Sequence, residues 1–521
     1  MQTASDLLKK GVEYAQNENY KEAENCFRQS LELDPDNPIT IRNLGNACAA
    51  DGRITEGLVY LTQYLDMRPE DLETMGHVLY LKYNYCVWNG LERMQERLKK
   101  GLHEHTLQSE PKLLFLGMSF EERYHYMTKL AAENKKLTEL RSEKPFALPF
   151  YHHDKLKVGF FTTDVGPSPC GFVIASLWDH LSHQAFEWHC FSCRKLSNKP
   201  EDAALITRHK AAFDVFHDVS DIQDYRTMAE TIAKAEIDIL IDVNMLINSM
   251  YPSLYYKPAP VIVNYLGYPS TTGLTWYDYM IADAYVVPTQ EEHWFTEKII
   301  RMPNCYHCVD TSPESHPGVA PRSILGLPEK SVIFACLNSP FKITPRYWDM
   351  WMRILKAVPN SVLWLRSFNF ETDDKLKEEA KKRGVDPARI IVLPKMPTHA
   401  DFLYCFKNAD LFLDTEMYNA HSTALESLFC GVPLITCPGE SYASRVSASM
   451  LNAFGLPELI CPSEEAYEQK AIELGNNPEK LNCLKAKTVA LMTPNNPLFD
   501  MKQYTLDFEN LLRQMASEKG L

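Results

Sequence analysis

No run of 18 apolar residues occurs in the 521-residue chain, so no segment reads as a membrane-spanning helix. A basic excess is missing too. The 54 Lys and Arg are outnumbered by 68 Asp and Glu, for a formal net charge of −14. That balance argues against a general nucleic-acid binder, which carries a basic face, and leaves room only for a local basic pocket. The start, MQTASDLLKKGVEYAQNENYKEAENC, has no apolar core of a leader, so no signal peptide is expected. The 14 cysteines show no framework spacing, which reads as reduced, mostly buried thiols of a cytoplasmic protein. What is present is ordinary for a soluble globular chain, with 45% hydrophobic and 23% charged residues. The length is too great for one core, so two or three domains are expected.

The first hundred residues repeat with a period of 34. Gly11 pairs with Gly45, Ala23 with Gly57, Phe27 with Leu61, Leu31 with Leu65 and Pro35 with Pro69. Small, aromatic and proline positions in that order mark tetratricopeptide helix hairpins. A third unit from about Asp71 keeps helical periodicity and loses the consensus, as a capping unit would. Such repeats serve either as scaffold or dimer contact, or as a groove for a protein substrate. The segment 107–150 reads as one or two connecting helices.

From Lys155 apolar strands alternate with helical stretches: LKVGFF, FEWHCFSC, IDILIDV and VIVNYLG, then SVIFACLN, SVLWLRSF, RIIVLPK, LFLDT and VPLITC. This alternation predicts two Rossmann-like parallel-sheet lobes in series, joined near residues 305–325. A ligand is expected between them, at the carboxyl ends of the strands.

One junction concentrates polar chemistry. In DTEMYNAHSTALESLFCGVPLITC a strand ends, a short loop follows, and His421, Ser422 and Thr423 open a helix. Backbone N–H groups and the dipole at a helix start attract phosphate, and the hydroxyls and imidazole can donate to the same anion. The same residues also suit a plain helix cap beside an incidental histidine. Lys342, after another strand in ACLNSPFKITP, is placed to reach the same phosphate.

The order LGYPSTTGL, LNSPFKITP, NSVLWLRSF, RIIVLP, ADLFLDTEMYNAHSTALESL and PGESYASRVSASML resembles the O-GlcNAc transferase family. These are nucleotide-sugar glycosyltransferases of the GT-B fold preceded by tetratricopeptide repeats. YCVWNGLERMQERLKK resembles that family's connector, and the short joint between lobes resembles bacterial or protist members. The resemblance implies an α plus α/β chain: repeats with a capping unit over 1–106, a helical connector over 107–150, an acceptor-side lobe over 151–310, and a donor-side lobe with the C-terminal helix over 311–521. It implies an inverting transfer of a sugar, with UDP-GlcNAc as first choice of donor, to Ser or Thr hydroxyls of proteins. UDP-glucose, GDP-fucose and a non-catalytic partner-binding homologue are the alternatives. The nucleotide sugar is a substrate, and neither cofactor nor metal is expected. Partners would be a protein acceptor, with the repeats as its groove, and a homo-oligomer is compatible with the sequence.

By the same resemblance His421, Ser422 and Thr423 would hold the diphosphate, and Lys342 would neutralise the leaving group. Glu426 stands where the family has an aspartate on the ribose. Asn338 and Ser339 share the Lys342 loop. The backbone at Met396 would read the base edge, and Phe402, with His399 second, would stack on the base. Gly267, Tyr268, Pro269 and Ser168 would line the acceptor-side cleft. Two departures stand out: Ser168 occupies the family's histidine position, and the motif after the third expected strand is altered to DVNMLINSM. Asp164 is then a candidate base, alongside a water relay or a donor phosphate oxygen.

Other clusters read as structural. His180, His183, His189, Cys190 and Cys193 fit no standard zinc spacing. His152 and His153 precede the first strand, Arg445 is expected to bond the phosphate region or brace two helix starts, and ETDDK at 371–375 reads as a solvated helix start.

Overall fold

The structure, a computed structural model, describes residues 2–104, 117–149, 151, 153–313 and 316–521. The first ten residues of the expected connector, His152 and part of the expected joint lie outside the described residues. The chain divides into two compact units.

One unit holds the repeats, together with Ser339–Pro345 and Asn369–Leu376. Its helices are α1 (Ala4–Gln16), α2 (Tyr20–Leu33), α3 (Pro38–Ala50), α4 (Ile54–Met67), α5 (Leu72–Asn84) and α6 (Leu91–Glu104). The small positions of the 34-residue pattern are where helices touch. A Cβ on Gly11 would lie 2.5 Å from the Phe27 ring, and one on Gly57 would lie 2.7 Å from the carbonyl oxygen of Gly45. The third hairpin, α5 and α6, is anchored inside this unit: the Cys86 thiol faces the Pro340 carbonyl at 3.9 Å. Thr372 is buried and donates to Asn84 O at 3.3 Å. The ETDDK stretch is therefore not the wholly solvated face its charges suggest.

The other unit begins with the connector helices α7 (Phe120–Glu133) and α8 (Lys135–Leu140). Its first sheet has seven parallel strands in the order β3-β2-β1-β4-β5-β6-β7. They are β1 (Leu156–Thr162), β2 (Phe186–Ser192), β3 (Val215–Asp218), β4 (Ile239–Asp242), β5 (Val261–Asn264), β6 (Tyr279–Ala282) and β7 (Lys298–Arg301). Helices α9 (Pro169–Asp179), α10 (Ala203–Ala211) and α11 (Tyr225–Lys234) make the crossovers. The second sheet is parallel in the order β10-β9-β8-β11-β12. Its strands are β8 (Val332–Cys336), β9 (Ser361–Arg366), β10 (Ile390–Leu393), β11 (Leu411–Leu413) and β12 (Leu434–Ile435). Helices α12 (Pro345–Ala357), α13 (Phe370–Lys382), α14 (His399–Phe406), α15 (Ser422–Phe429), α16 (Val446–Phe454), α17 (Glu464–Asn476) and α18 (Pro478–Leu491) follow, and α19 (Met501–Lys519) closes the chain.

Both lobes are Rossmann-like, as the alternation predicts. The strands buried on both faces are the apolar runs visible in sequence. The edge strands β3 (VFHD) and β7 (KIIR) were not visible, because an edge tolerates polar residues. The four-residue β6 (YMIA) is buried and was missed for its brevity.

The last helix departs from the expected 311–521 lobe. It packs on the first lobe: Tyr504 and Tyr265 share a hydroxyl bond of 2.7 Å, and Glu509 accepts from Ser182 N at 2.8 Å. Phe508 stacks on Phe160, and Glu518 receives Tyr279 Oη and Lys298 Nζ at 2.6 and 2.7 Å. The two lobes are tied by the end of the chain as well as by the joint.

His209 sits beneath the turn after β1, where its Nδ1 accepts from Gly166 N–H at 3.0 Å. Gly166 has φ +104° there, a conformation suited to glycine. Burial, and then the Arg208 charge, push the imidazole down to about 4 from 6.5. An unfolded chain binds a proton at His209 below pH 6.5, and the native chain does not. The resulting stability is complete above pH 6.5 and declines as pH falls toward 4. Replacing His209 with Gln should flatten the fall of unfolding free energy between pH 6.5 and 4.5 by about 1 kcal/mol per pH unit. Urea unfolding of both proteins across that range checks it.

Candidate active site

The second sheet reverses its strand order between β8 and β11, and Asn338 follows one of those strands while His421, Ser422 and Thr423 follow the other. Asn338, directly after β8, donates to Thr415 Oγ1 at 3.1 Å, directly after β11. Thr415 donates in turn to the Tyr418 carbonyl at 2.8 Å. The loop between β11 and α15 is wound around one buried carboxylate. Asp414 Oδ1 accepts from Thr415 N–H at 2.8 Å and Ala420 N–H at 2.7 Å, while Oδ2 accepts from Thr436 Oγ1 at 2.7 Å. Burial raises its pKa against these bonds. Sequence reading passed over Asp414. Its signal was an acidic residue closing an apolar strand, where only inward-facing donors make a carboxylate tolerable.

The wound loop delivers His421 to the N-cap of α15. Its ring stacks on Tyr418 at 4.5 Å, and its Nε2 lies 3.1 Å from the Ala443 carbonyl. With Nε2–H donated there, a second N–H at Nδ1 exists only in the imidazolium. Neither Ser422 nor Thr423 caps the helix, contrary to the capping reading. The N-cap is His421, without a side-chain cap bond. The backbone N–H groups and hydroxyls of Ser422 and Thr423 have no hydrogen-bond partner among the described residues. Half-buried donors left open at a helix start form an anion-receptive surface. Arg445 braces the neighbouring loops, donating to Tyr285 O at 2.7 Å and Gly439 O at 3.0 Å.

One turn along α15, Glu426 accepts from His399 Nε2 at 2.8 Å. His399 opens α14, and its ring lies on Phe172 at 4.3 Å and 18°. Phe172 comes from α9 of the first lobe, so the ring pair spans the cleft and leaves a gap of about 30 Å³. The first choice for a base-stacking ring, Phe402, does not fit that role. It is 7% exposed, with the Arg366 guanidinium 5.3 Å from its centroid and Phe406 at 5.5 Å. His399, the second choice, is the half-buried ring at the cleft. The backbone N–H and C=O of Met396 make no hydrogen bond among the described residues. Lys342 and Ser339 lie in the short 3₁₀ turn Pro340–Lys342 and its N-cap, within the repeat-bearing unit.

In the first sheet the strand order reverses between β1 and β4. Asp164, after β1, is buried and accepts from Asn244 Nδ2, after β4. Asn244 also accepts from Thr163 N at 2.7 Å and Thr162 Oγ1 at 3.1 Å. The altered DVNMLINSM motif thus supplies the brace for Asp164. Ser168 is the N-cap of α9, accepting from Gly171 N–H at 3.0 Å, and is committed to the helix. Gly267 follows a tight γ-turn in which Leu266 has φ +78° and Gly267 N–H reaches Tyr265 O at 3.2 Å. A Cβ on Gly267 would sit 2.4 Å from Val243 O. Tyr268 is 1% exposed and turns its hydroxyl to Met127 of α7 at 3.6 Å, and Pro269 is buried with it. Their side chains therefore line the protein interior rather than the cleft.

His180, His183 and His189 bond separate groups: the Ser176 carbonyl, Asp214, and the pair Glu187 and His217. His153 reaches Glu236 O.

The pattern of glycosyl transferase family 41 matches residues 135–313 and 309–508, and the tetratricopeptide repeat pattern matches residues 5–37. A probable UDP-N-acetylglucosamine–peptide N-acetylglucosaminyltransferase, SEC, of Arabidopsis thaliana is 32% identical over 362 residues. That match covers 68% of this chain and 36% of the plant protein. The UDP-N-acetylglucosamine–peptide N-acetylglucosaminyltransferase of Caenorhabditis elegans is 26% identical over 473 residues, 69% of this chain and 41% of the worm protein. The chain therefore spans well under half the length of these relatives. A solved mutant O-GlcNAc transferase of Thermobaculum terrenum has the same fold, with a TM-score of 0.72 at 24% identity over 100% of this chain and 99% of that one.

Asp414→Ala should cost roughly 2–5 kcal/mol of stability, since it strips the acceptor from three buried donors. Asp414→Asn, which keeps one acceptor oxygen, should fall between. Urea unfolding at neutral pH ranks the three proteins.

Proposed function

Because the chain belongs to glycosyl transferase family 41, we propose that it moves a sugar from a nucleotide sugar to Ser or Thr hydroxyls of proteins, with inversion. UDP-N-acetylglucosamine is the donor in the names of its relatives and our first choice. The observation that carries the reading is the open helix start of α15, where N–H and hydroxyl donors of Ser422 and Thr423, unpartnered among the described residues, adjoin His421.

In this reading the diphosphate rests on that helix start. As the bond from the anomeric carbon to the diphosphate oxygen breaks, negative charge grows on the leaving group. The α15 donors would stabilise it, with the Lys342 ammonium added as the family resemblance implies, so electrostatics contribute most of the acceleration and no metal is called for. Glu426, oriented by His399, takes the ribose. His399 takes the base in place of Phe402, on the ring face that Phe172 now covers, and the open backbone of Met396 reads the base edge. The acceptor hydroxyl attacks from the first-lobe side. Ser168 is occupied as a helix cap and takes no proton. In this reading Asp164, held by Asn244, would take the hydroxyl proton, with a water relay or a donor phosphate oxygen as the alternatives. The repeats would receive the protein acceptor. The 14 cysteines are all free thiols, which supports a reducing, cytoplasmic setting. No helix among the described residues is long and apolar enough to cross a membrane.

Lys342→Ala should reduce turnover by about 10²–10³-fold with unfolding behaviour unchanged, as expected for a charge that serves the leaving group. Turnover near that of the parent on the best donor of a panel including UDP-glucose and GDP-fucose would sink the assignment. His421→Ala should weaken UDP about tenfold or more in calorimetric titration, because a charge-assisted bond to phosphate is lost. An unchanged affinity would leave His421 as a brace for the Ala443 loop.

A further inference from the structure

The repeat-bearing unit contains an open groove of about 530 Å³ that none of the donor chemistry uses. One wall is an outward face of α4, running from Thr55 to Asp66. Those eleven steps extend roughly 16 Å along the helix axis, the length of about five residues of extended chain. Leu58 and Val59 give the wall an apolar strip, and Val59 is 61% exposed. Gln63 and Asn89 add amide groups.

Two cations lie on this groove, Lys82 of α5 and Lys375 of α13. Lys82 is 8% exposed, a rare degree of burial for a lysine. Its ammonium donates to the Asn89 carbonyl at 2.6 Å, and no carboxylate pairs with it among the described residues. Burial lowers its pKa, and no neighbouring acid is placed to counter that. A buried ammonium normally finds an anion, because a lone carbonyl leaves most of its desolvation cost unmet. Among the described lining residues the one acid is Asp66, at the far end of the α4 wall, while Glu371 accepts from Thr55 at 3.4 Å at its near end.

We infer that this groove docks an extended polypeptide segment and that Lys82 pairs with an acidic side chain of that segment, with Lys375 adding attraction at the rim. The apolar strip would take a neighbouring side chain, and the amides would meet the segment's backbone. This inference rests on the reading that proteins are the acceptors, and it adds a chemical preference: acceptors with Asp or Glu in the docked stretch would be favoured.

The test uses the full chain and two fluorescein-labelled extended peptides of about twelve residues, long enough to overfill the groove. They are identical in Val, Thr, Gly and Ser positions, and one carries two Glu where the other carries two Gln. At an ionic strength of about 20 mM, where screening is weak, the acidic peptide should bind about tenfold tighter in anisotropy titrations. Lys82→Met, which keeps the aliphatic stem, should shrink that preference to below about twofold, and Lys375→Gln should reduce it by a smaller factor. Equal binding of the two peptides overturns the inference. So does a full preference retained in folded Lys82→Met. If Lys82→Met fails to fold by circular dichroism, an unaltered preference in Lys375→Gln overturns it. Nucleotide-sugar hydrolysis in the same samples separates the two readings. Acidic preference without hydrolysis would sink the transferase and leave the groove standing, and hydrolysis without preference would do the reverse.

Discussion

The donor-side site depends on one buried carboxylate at the end of one strand. Asp414 has no solvent, so its charge is tolerable only where donors converge on it. Thr415, Ala420 and Thr436 do so, and in converging they set the path of the loop. The same path then presents His421 at the helix N-cap and leaves Ser422 and Thr423 without partners among the described residues. An interior that satisfies its own polar group thereby exposes an unsatisfied set at the surface, where an anion can complete it.

The two lobes solve the same problem in parallel. Each sheet reverses its order once, between β1 and β4 and between β8 and β11, and crossover helices leave to opposite sides at each reversal. At each crevice an asparagine bridges the two strand ends: Asn244 to Asp164 in one, Asn338 to Thr415 in the other. Side chains after these strands are held by a bond across the crevice, which favours precise placement over mobility. The γ-turn at Leu266 adds a strained segment beside the first crevice, and Gly267 has no room for a Cβ there.

Much of this was legible because it repeats or alternates. The 34-residue register was readable since each small residue marks a helix crossing, as Gly11 against Phe27 shows. Central strands were readable because burial on both faces forbids polar residues. The edge strands β3 and β7 have no such requirement, and their residues look like loop. The choice between His399 and Phe402 was not readable. Both are rings on one short helix, and only packing shows that Phe402 is covered by Arg366 and Phe406 while His399 faces Phe172 and Glu426.

By itself the sequence determined the order of elements, the repeat architecture and the strand-to-helix junction at His421, because local periodicity and composition encode them. Tertiary structure alone decided that α19 returns to the first lobe, since the pairing of Tyr504 with Tyr265 joins residues far apart in the chain. It also decided that Ser168 serves its own helix, that Tyr268 turns inward, and that Lys82 is a buried cation with no paired acid among the described residues. Each of these is a matter of what lies opposite a side chain in space. A one-dimensional pattern carries no record of such neighbours when the contact is made only once.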